Sequence, residues 1–217
     1  MNRPVWLLDV DGVINASRPG WGGPPRSGTA YSGGDAYRIR WAPALLDRIR
    51  ALHRAGGVEI RWCSTWCADA DQMERLFGLP RLARAWSEHL SATAAATAKL
   101  TAARDVLAQG RRLIWTDDVE VPAGGPVHDE LTAGGRALLI APSPGRGLQP
   151  EHMDAIEAFV PTPASEAPCS TVDATPADEA LLIARRLLGG DLPPPPGTVD
   201  GRRDTGPTRI RCDRFNR

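Results

Sequence analysis

Lysine is almost missing from this chain. Of 26 basic residues only Lys99 is a lysine, and the rest are arginine. They are matched by 26 acidic residues, so the formal net charge is zero and no global basic field directs the protein to nucleic acid or to an anionic membrane. A local basic patch is still compatible with that balance. The arginine, alanine, glycine and proline content reads as a GC-rich coding bias, which makes arginine counts poor evidence and the single lysine worth following. Cysteine is scarce too. Cys63, Cys67, Cys169 and Cys212 are too few and too scattered for a disulfide framework, and Cys63 and Cys67 lack the CxxC spacing and the second pair that zinc requires. Reduced, structural thiols are expected. Long apolar runs are absent: Asp9 and Asp11 interrupt the one N-terminal candidate for a signal segment, and nothing approaches transmembrane length. The expectation is a soluble, cytoplasmic protein without membrane association. At 217 residues it has room for one ordinary core and a short appendage.

What is present alternates. Val5 to Val10 is a short apolar run ending in carboxylates and a glycine, which suits a buried parallel strand carrying polar residues at its C-terminal edge. Asn15 to Arg40 is rich in Gly, Pro, Ser and Tyr, and reads as a long loop or a small flap. Ala42 to Ala55 has Leu45, Leu46, Ile49 and Leu52 at helical spacing, with Pro43 at its start and Gly56-Gly57 at its end. A second strand is expected over Val58 to Cys63 and a helix from about Ala68 to Phe77. Residues 81 to 97 are ambiguous. A helix over Ala98 to Ala108 leads into a strand, Arg112 to Thr116, followed by a further apolar run over Ala137 to Ala141 and a helix over Pro150 to Phe159. Strands alternating with helices predict an α/β fold, a Rossmann-like parallel sheet sandwiched by helices. Residues 1–160 form the expected catalytic domain. Residues 161–217 are read as a Pro-rich linker and a tail with one plausible helix, Ala177 to Leu188, ahead of Pro193 to Pro196.

Four features fall at the C-terminal ends of these strands or beside them, where an open α/β sheet places its ligands. They are Asp9-Val10-Asp11-Gly12, Ser64 followed by Thr65, Lys99, and Asp117-Asp118. Each has an ordinary explanation: turn residues, a helix N-cap, a solvated lysine, a loop cap. Four acids converging on one edge would nevertheless repel one another unless a cation neutralised them.

In order and spacing the set resembles the haloacid dehalogenase-like (HAD) phosphatase superfamily, over roughly residues 4 to 160. Within it the chain is most similar to a small bacterial group with a Trp-x-Ser/Thr-x-Trp segment, here Trp62-Cys63-Ser64-Thr65-Trp66. That group also carries a closing stretch, here Gly147-Leu148-Gln149-Pro150-Glu151-His152. Related domains are associated with RNA repair proteins. The resemblance implies a magnesium-dependent phosphomonoesterase. Asp9 is the expected nucleophile and Asp11 the acid/base, shielded enough to hold a proton for part of the cycle. Ser64, Thr65 and Lys99 are the expected phosphate-binding residues. Mg2+ is expected on Asp9, the main-chain carbonyl of Asp11 and one of Asp117 and Asp118, with Asp118 as the direct ligand and Asp117 behind it.

Superfamily members usually take specificity from cap insertions, and neither interval here holds an obvious extra sheet. A HAD-like core with a minimal cap implies an open site, compatible with a large phosphorylated substrate such as a nucleic-acid end or a phosphoprotein. Trp21, Tyr31, Tyr37 and Trp41 are placed to stack on a base, or, the preferred reading, to pin the loop to the core. His53, His89, His128 and His152 show no ligand spacing. The rival from another class is a catalytically silent binding or regulatory module using its tail for a protein partner.

Overall fold

Val5–Leu8 (β1) is buried along its whole length and runs through the middle of a five-stranded sheet in the computed structural model, which describes residues 3–160. A strand with helices on both sides has no polar face to show, so its sequence is a continuous apolar run rather than an alternating one. The other strands are Glu59–Trp62 (β4), Ala83–Arg84 (β5), Leu113–Thr116 (β6) and Ala137–Ile140 (β7), in the order β5-β4-β1-β6-β7. All the pairings in this sheet are parallel. The architecture is therefore α/β and Rossmann-like. From β1 the chain builds outward to β4 and β5 on one side, then crosses to β6 and β7 on the other. β1 is thus flanked by the point where strand order reverses, and there the loops leaving adjacent strands diverge and open a crevice.

The helices are Pro43–Ala55 (α1), Ala70–Phe77 (α2), Ala92–Ala108 (α3), Pro126–Thr132 (α4) and Pro150–Phe159 (α5). Trp6 and Leu8 point to one face and share a core with Leu45, Leu46 and Ile49 of α1, Met73 and Phe77 of α2, and Met153 and Ile156 of α5. Val5 and Leu7 point to the other and pack with Ala103 and Val106 of α3 and Leu131 of α4. The period-2 alternation of β1 thus distributes its four side chains between two helical layers. α1 begins with Pro43 at its first turn and ends where Gly56 takes φ 69° and donates its N–H to the His53 carbonyl, the termination that Gly56-Gly57 predicts.

The segment Asn15 to Arg40, expected as a loop or flap, contains an antiparallel hairpin, Arg26–Ser32 (β2) and Asp35–Trp41 (β3). Gly33 and Gly34, with φ 60° and 92°, make its turn, since two consecutive positive φ values suit a tight hairpin and glycine reaches them without a Cβ penalty. Only Ala30, Ile39 and Trp41 of the hairpin are buried, so its strands lack the apolar alternation that would announce them. Gly28 allows the close approach to α2: a Cβ there would lie 2.4 Å from Leu76 Cδ1. Trp41 packs edge-on against Phe77, and Trp21 donates its Nε1–H to the Leu148 carbonyl at 2.7 Å, so both pin the segment to the core.

Residues 81 to 97 hold β5 and the first turns of α3, which begins at Ala92 rather than at Ala98. Ser91 caps it by accepting from the Ala94 N–H. The Ala/Thr composition of these turns offers little apolar contrast, and Thr97 and Thr101 instead donate to the carbonyls four residues back. Among the described residues the interval from Ser64 to Lys99 adds no separate sheet, since β5 joins the main one. No described helix is long and apolar enough to cross a membrane. The expected helix over 177–188, Cys169 and Cys212 lie outside the described residues.

Candidate active site

The register of the three central strands sets the site. Leu8 pairs with Trp62 on one side and Thr116 on the other, so the residues that follow, Asp9, Cys63-Ser64 and Asp117, leave the sheet at one level. The Asp9 N–H donates to the Thr116 carbonyl at 3.2 Å and the Cys63 N–H to the Leu8 carbonyl at 2.9 Å, which extends the ladder into the loops. α3 packs over β6 and delivers Lys99 from its inner face.

Lys99 is the centre of the floor. Its Nζ lies 2.8 Å from Asp9 Oδ2 and 2.6 Å from Asp117 Oδ2, and all three side chains are buried. Burial pulls the ammonium towards neutrality, but Asp9 and Asp117 outweigh it and hold the pKa above its ordinary value. Asp9 moves the other way. Burial raises its carboxyl to about 7, with Asp117 adding to the rise and Lys99 and Ser64 opposing it. Its Oδ1 is held by the Val10 N–H at 2.7 Å. Asp117 is fully buried, and its Oδ1 accepts from the Val119 and Glu120 N–H groups at 3.0 and 2.8 Å.

Asp118 is only partly buried, and burial together with Asp117 raises its carboxyl above the usual range. It sits over Gly12. A Cβ on Gly12 would fall 2.0 Å from Asp118 Oδ2, and Gly12 has φ 67°, so the glycine of the Asp-x-Asp-Gly run is required both by its backbone and by the carboxylate above it. Carboxylate oxygens of Asp9, Asp117 and Asp118 lie within 4.8 Å of one another. Three carboxylates against one ammonium leave a local excess of negative charge, and oxygen-only donors suit a hard divalent cation.

Asp11 is not in that cluster. Its side chain is exposed on the rim, where Asn15 Nδ2 donates to one oxygen at 2.7 Å and Trp66 Nε1 to the other at 2.9 Å. The shielding expected for it is therefore absent; two donors fix its direction instead. Ser64 is fully buried, and its Oγ caps the 3-10 turn Thr65–Cys67 by accepting from the Trp66 N–H at 3.4 Å. Thr65 lies exposed beside it, on a cleft of about 200 Å³ that it shares with Asp11, Tyr37, Trp66 and His89. Tyr37 meets Trp66 edge-on at 5.4 Å and is thereby the hairpin's contribution to the rim.

Asp9, Ser64, Lys99, Asp117 and Asp118 thus converge on the floor, while Asp11 and Thr65 stand at the edge. Asn15 and the indole of Trp66 both act on Asp11, a task that sequence reasoning gives to neither. A polar side chain four residues after the second Asp is the available signal for Asn15. The stretch Gly147 to His152 is a brace: the Leu148 N–H donates to the Val13 carbonyl at 2.8 Å, and Gly147 passes so close that a Cβ would lie 2.4 Å from Val13 O. Gln149 Nε2 then gathers the carbonyls of Arg146, Gly147 and Leu148, and the Gln149 N–H donates to His152 Nδ1 at 3.0 Å. Cys63 and Cys67 are unbridged and buried, and burial pushes both thiols up.

The chain matches no protein-family model, and neither curated proteins nor solved structures give a match to it.

Proposed function

We propose that this chain is a Mg2+-dependent phosphomonoesterase of the HAD type, working through an aspartyl-phosphate on Asp9. The observation that carries the reading is the division of labour on the floor. Asp117 is committed to Lys99 and to two backbone N–H groups, whereas Asp118 lies over Gly12 beside Asp9. This supports Asp9 and Asp118 as cation ligands, with Asp117 as the residue that seats Lys99. Mg2+ fits these oxygen donors and, when bound, supplies charge neutralisation and orientation for the phosphoryl group.

In this reading an oxygen of Asp9 attacks phosphorus, and the leaving oxygen departs with a proton from Asp11. Water then attacks the phosphorus of the aspartyl-phosphate while Asp11 takes its proton, which releases inorganic phosphate and regenerates Asp9. Asn15 and Trp66 hold the Asp11 carboxylate in a fixed direction at the rim. Lys99 and the Ser64 hydroxyl stabilise charge on the transferred group, and Thr65 adds a hydroxyl from the rim. The hairpin β2–β3 serves as a minimal cap and leaves the cleft open to a large substrate.

The test is phosphate release with Mg2+ from nucleic-acid ends, nucleotides, sugar phosphates and phosphopeptides, comparing wild type with Asp9→Asn. Activity that disappears in the variant and on chelation is expected. A wild type inactive across the whole panel favours the binding-module alternative, and activity that survives Asp9→Asn refutes the nucleophile assignment.

A further inference from the structure

Arginine is the default basic residue of this chain, so only its placement is informative. Most of the described arginines meet a carboxylate, a backbone carbonyl or a ring: Arg48 bonds Asp154 and Glu157, Arg104 bonds Glu130, and Arg112 lies over Phe159. Among the described residues Arg26, Arg81 and Arg136 make no such contact, and neither do four arginines that lie together on one face, of which only Arg146 is held by a side chain, donating to Gln149 Oε1 at 3.2 Å. Arg18, Arg38, Arg40 and Arg146 line two adjoining cavities of about 280 and 600 Å³ that share Ser17 and Gly145, and no acidic residue lines either of them. Among the described residues none of these four arginines has a salt-bridge partner. Four guanidinium groups gathered without a carboxylate repel one another, and an anionic ligand relieves that repulsion.

The groove is built and is joined to the site. The Arg18 N–H donates to the Gly145 carbonyl at 2.8 Å, and the Ala16 N–H to the Arg40 carbonyl at 3.0 Å, so its walls are tied together by main chain. Asn15 belongs to both places: its Nδ2 donates to Asp11, and its Oδ1 accepts from the Arg40 N–H at 2.8 Å. Arg38 and Arg40 lie two residues apart on β3, hence on one face and about 6.8 Å apart along the strand. An extended chain of phosphodiesters presents its charges at a comparable repeat. Tyr31 lies on the same outer face, diagonal to Arg38 across the ladder in which Thr29 pairs with Arg38 and Tyr31 with Ala36. Its backbone is clamped by the Gln72 amide, through bonds of 2.9 and 2.6 Å, while the ring is 57% exposed.

From this arrangement we infer that the groove of Arg18, Arg38, Arg40 and Arg146 binds the sugar-phosphate backbone of a single-stranded polynucleotide, with Tyr31 as a stacking platform, and so leads a phosphorylated end to Asp9. The inference rests on the phosphatase reading for what happens at the end, but the groove itself needs only binding. Planar guanidinium forks suit phosphate, and an exposed aromatic beside them suits a base better than it suits an acidic peptide. The groove also answers how a neutral protein holds a polyanion: the positive charge is local.

The experiment uses the full chain and fluorescein-labelled single-stranded RNA and DNA with hydroxyl ends, which carry no monoester and so report binding alone. Anisotropy is read across a salt series for wild type, for Arg38→Ala/Arg40→Ala, for Tyr31→Ala, and for a control that removes two arginines elsewhere, Arg75→Ala/Arg104→Ala. Circular dichroism and the melting temperature check that each variant is folded. Wild-type affinity that falls steeply with salt is expected. The groove variant should bind at least tenfold more weakly, with a log–log salt slope smaller by about 1.4, or about 0.7 for each single-strand phosphate that the two arginines neutralise. Tyr31→Ala should weaken binding about fivefold or more with the slope retained. Wild type that does not bind, a groove variant that binds like the control, or an acidic phosphopeptide that displaces the oligonucleotide at equal charge concentration would overturn the inference. If binding behaves as expected but the same strands carrying a terminal phosphate release none, the groove stands and the phosphatase reading fails.

Discussion

Asp9 and Asp11 are separated by one residue and live in different media. Asp9 is 5% exposed and locked to Lys99 on a floor from which water is nearly excluded, whereas Asp11 stands in solvent, oriented by an amide and an indole. The residue between them, Val10, is fully buried and turns the backbone from strand to loop. On the floor, charge is controlled by burial and pairing, so replacing a member redistributes protons and costs stability. On the rim, charge is controlled by direction, so in the phosphatase reading replacing Asp11 changes reactivity and leaves the fold intact.

This contrast breaks most severely at Lys99. Lys99→Met leaves Asp9 and Asp117 buried face to face without their cation, and removing one partner of a buried ion pair costs about 3–5 kcal/mol. The sign with pH follows from the raised carboxyl. A carboxyl whose folded pKa lies above its unfolded value stabilises most when protonated, and that contribution is lost as pH rises from the unfolded value, 3.8, towards about 7 for Asp9. Removing Lys99 takes away the group opposing the rise, so urea titrations should find the variant far less destabilised at pH 5 than at pH 8. Asp11→Asn is the counterpart on the rim: kcat should fall about 10²–10⁴-fold, the range for one general acid/base, while the melting temperature stays near that of wild type.

A third substitution sharpens the boundary between the two media. Gly12→Ala forces a Cβ into the carboxylate of Asp118 and an L-residue to a positive φ, at a cost of about 1–3 kcal/mol. Displacing Asp118 should also raise the Mg2+ concentration needed for half-maximal activity, measured by metal titration. The smallest effect on catalysis is expected from Trp66→Phe, which keeps an aromatic ring facing Tyr37 but removes the N–H to Asp11 together with the five-membered part of the buried indole. A loss of about 1 kcal/mol, roughly fivefold in kcat, is the scale of one hydrogen bond.

Most of the floor is legible in the sequence because Asp9, Ser64 and Asp117 each follow a strand, whereas Lys99, on an Ala/Thr-rich helix of little apolar contrast, stands out only as the single lysine. β1 and β6 announce themselves as buried runs and β4 as an alternation, with Ile60 and Trp62 inward, and Asp9, Ser64 and Asp117 stand just beyond their ends. The rim is less legible. The role that the resemblance gives Asp11 asks for a proton and hence for shielding, but solvent access depends on which way a loop turns, and that is decided by Asn15 and Trp66, one of them from a distant strand end. The hairpin escapes for a different reason. Its turn, Gly33-Gly34, is a recognisable signal, but strands with only three buried side chains carry almost no hydrophobic alternation, and pattern reading rests on that alternation. α4 escapes likewise, as a helix of 7 residues with Leu131 as its buried anchor.

The brace formed by Gly147, Leu148 and Gln149 has a consequence for synthesis. Asp9 and Asp11 leave the ribosome long before Leu148, yet the loop that follows them is closed by the Leu148 N–H on Val13 and by Gly145 on Arg18. A nascent chain therefore carries Asp9 and Asp11 early, while the tie that closes the loop beyond them arrives only when almost the whole domain has been made. A truncated product ending before Leu148 would keep every residue of the floor while lacking the tie that closes the loop after Asp11.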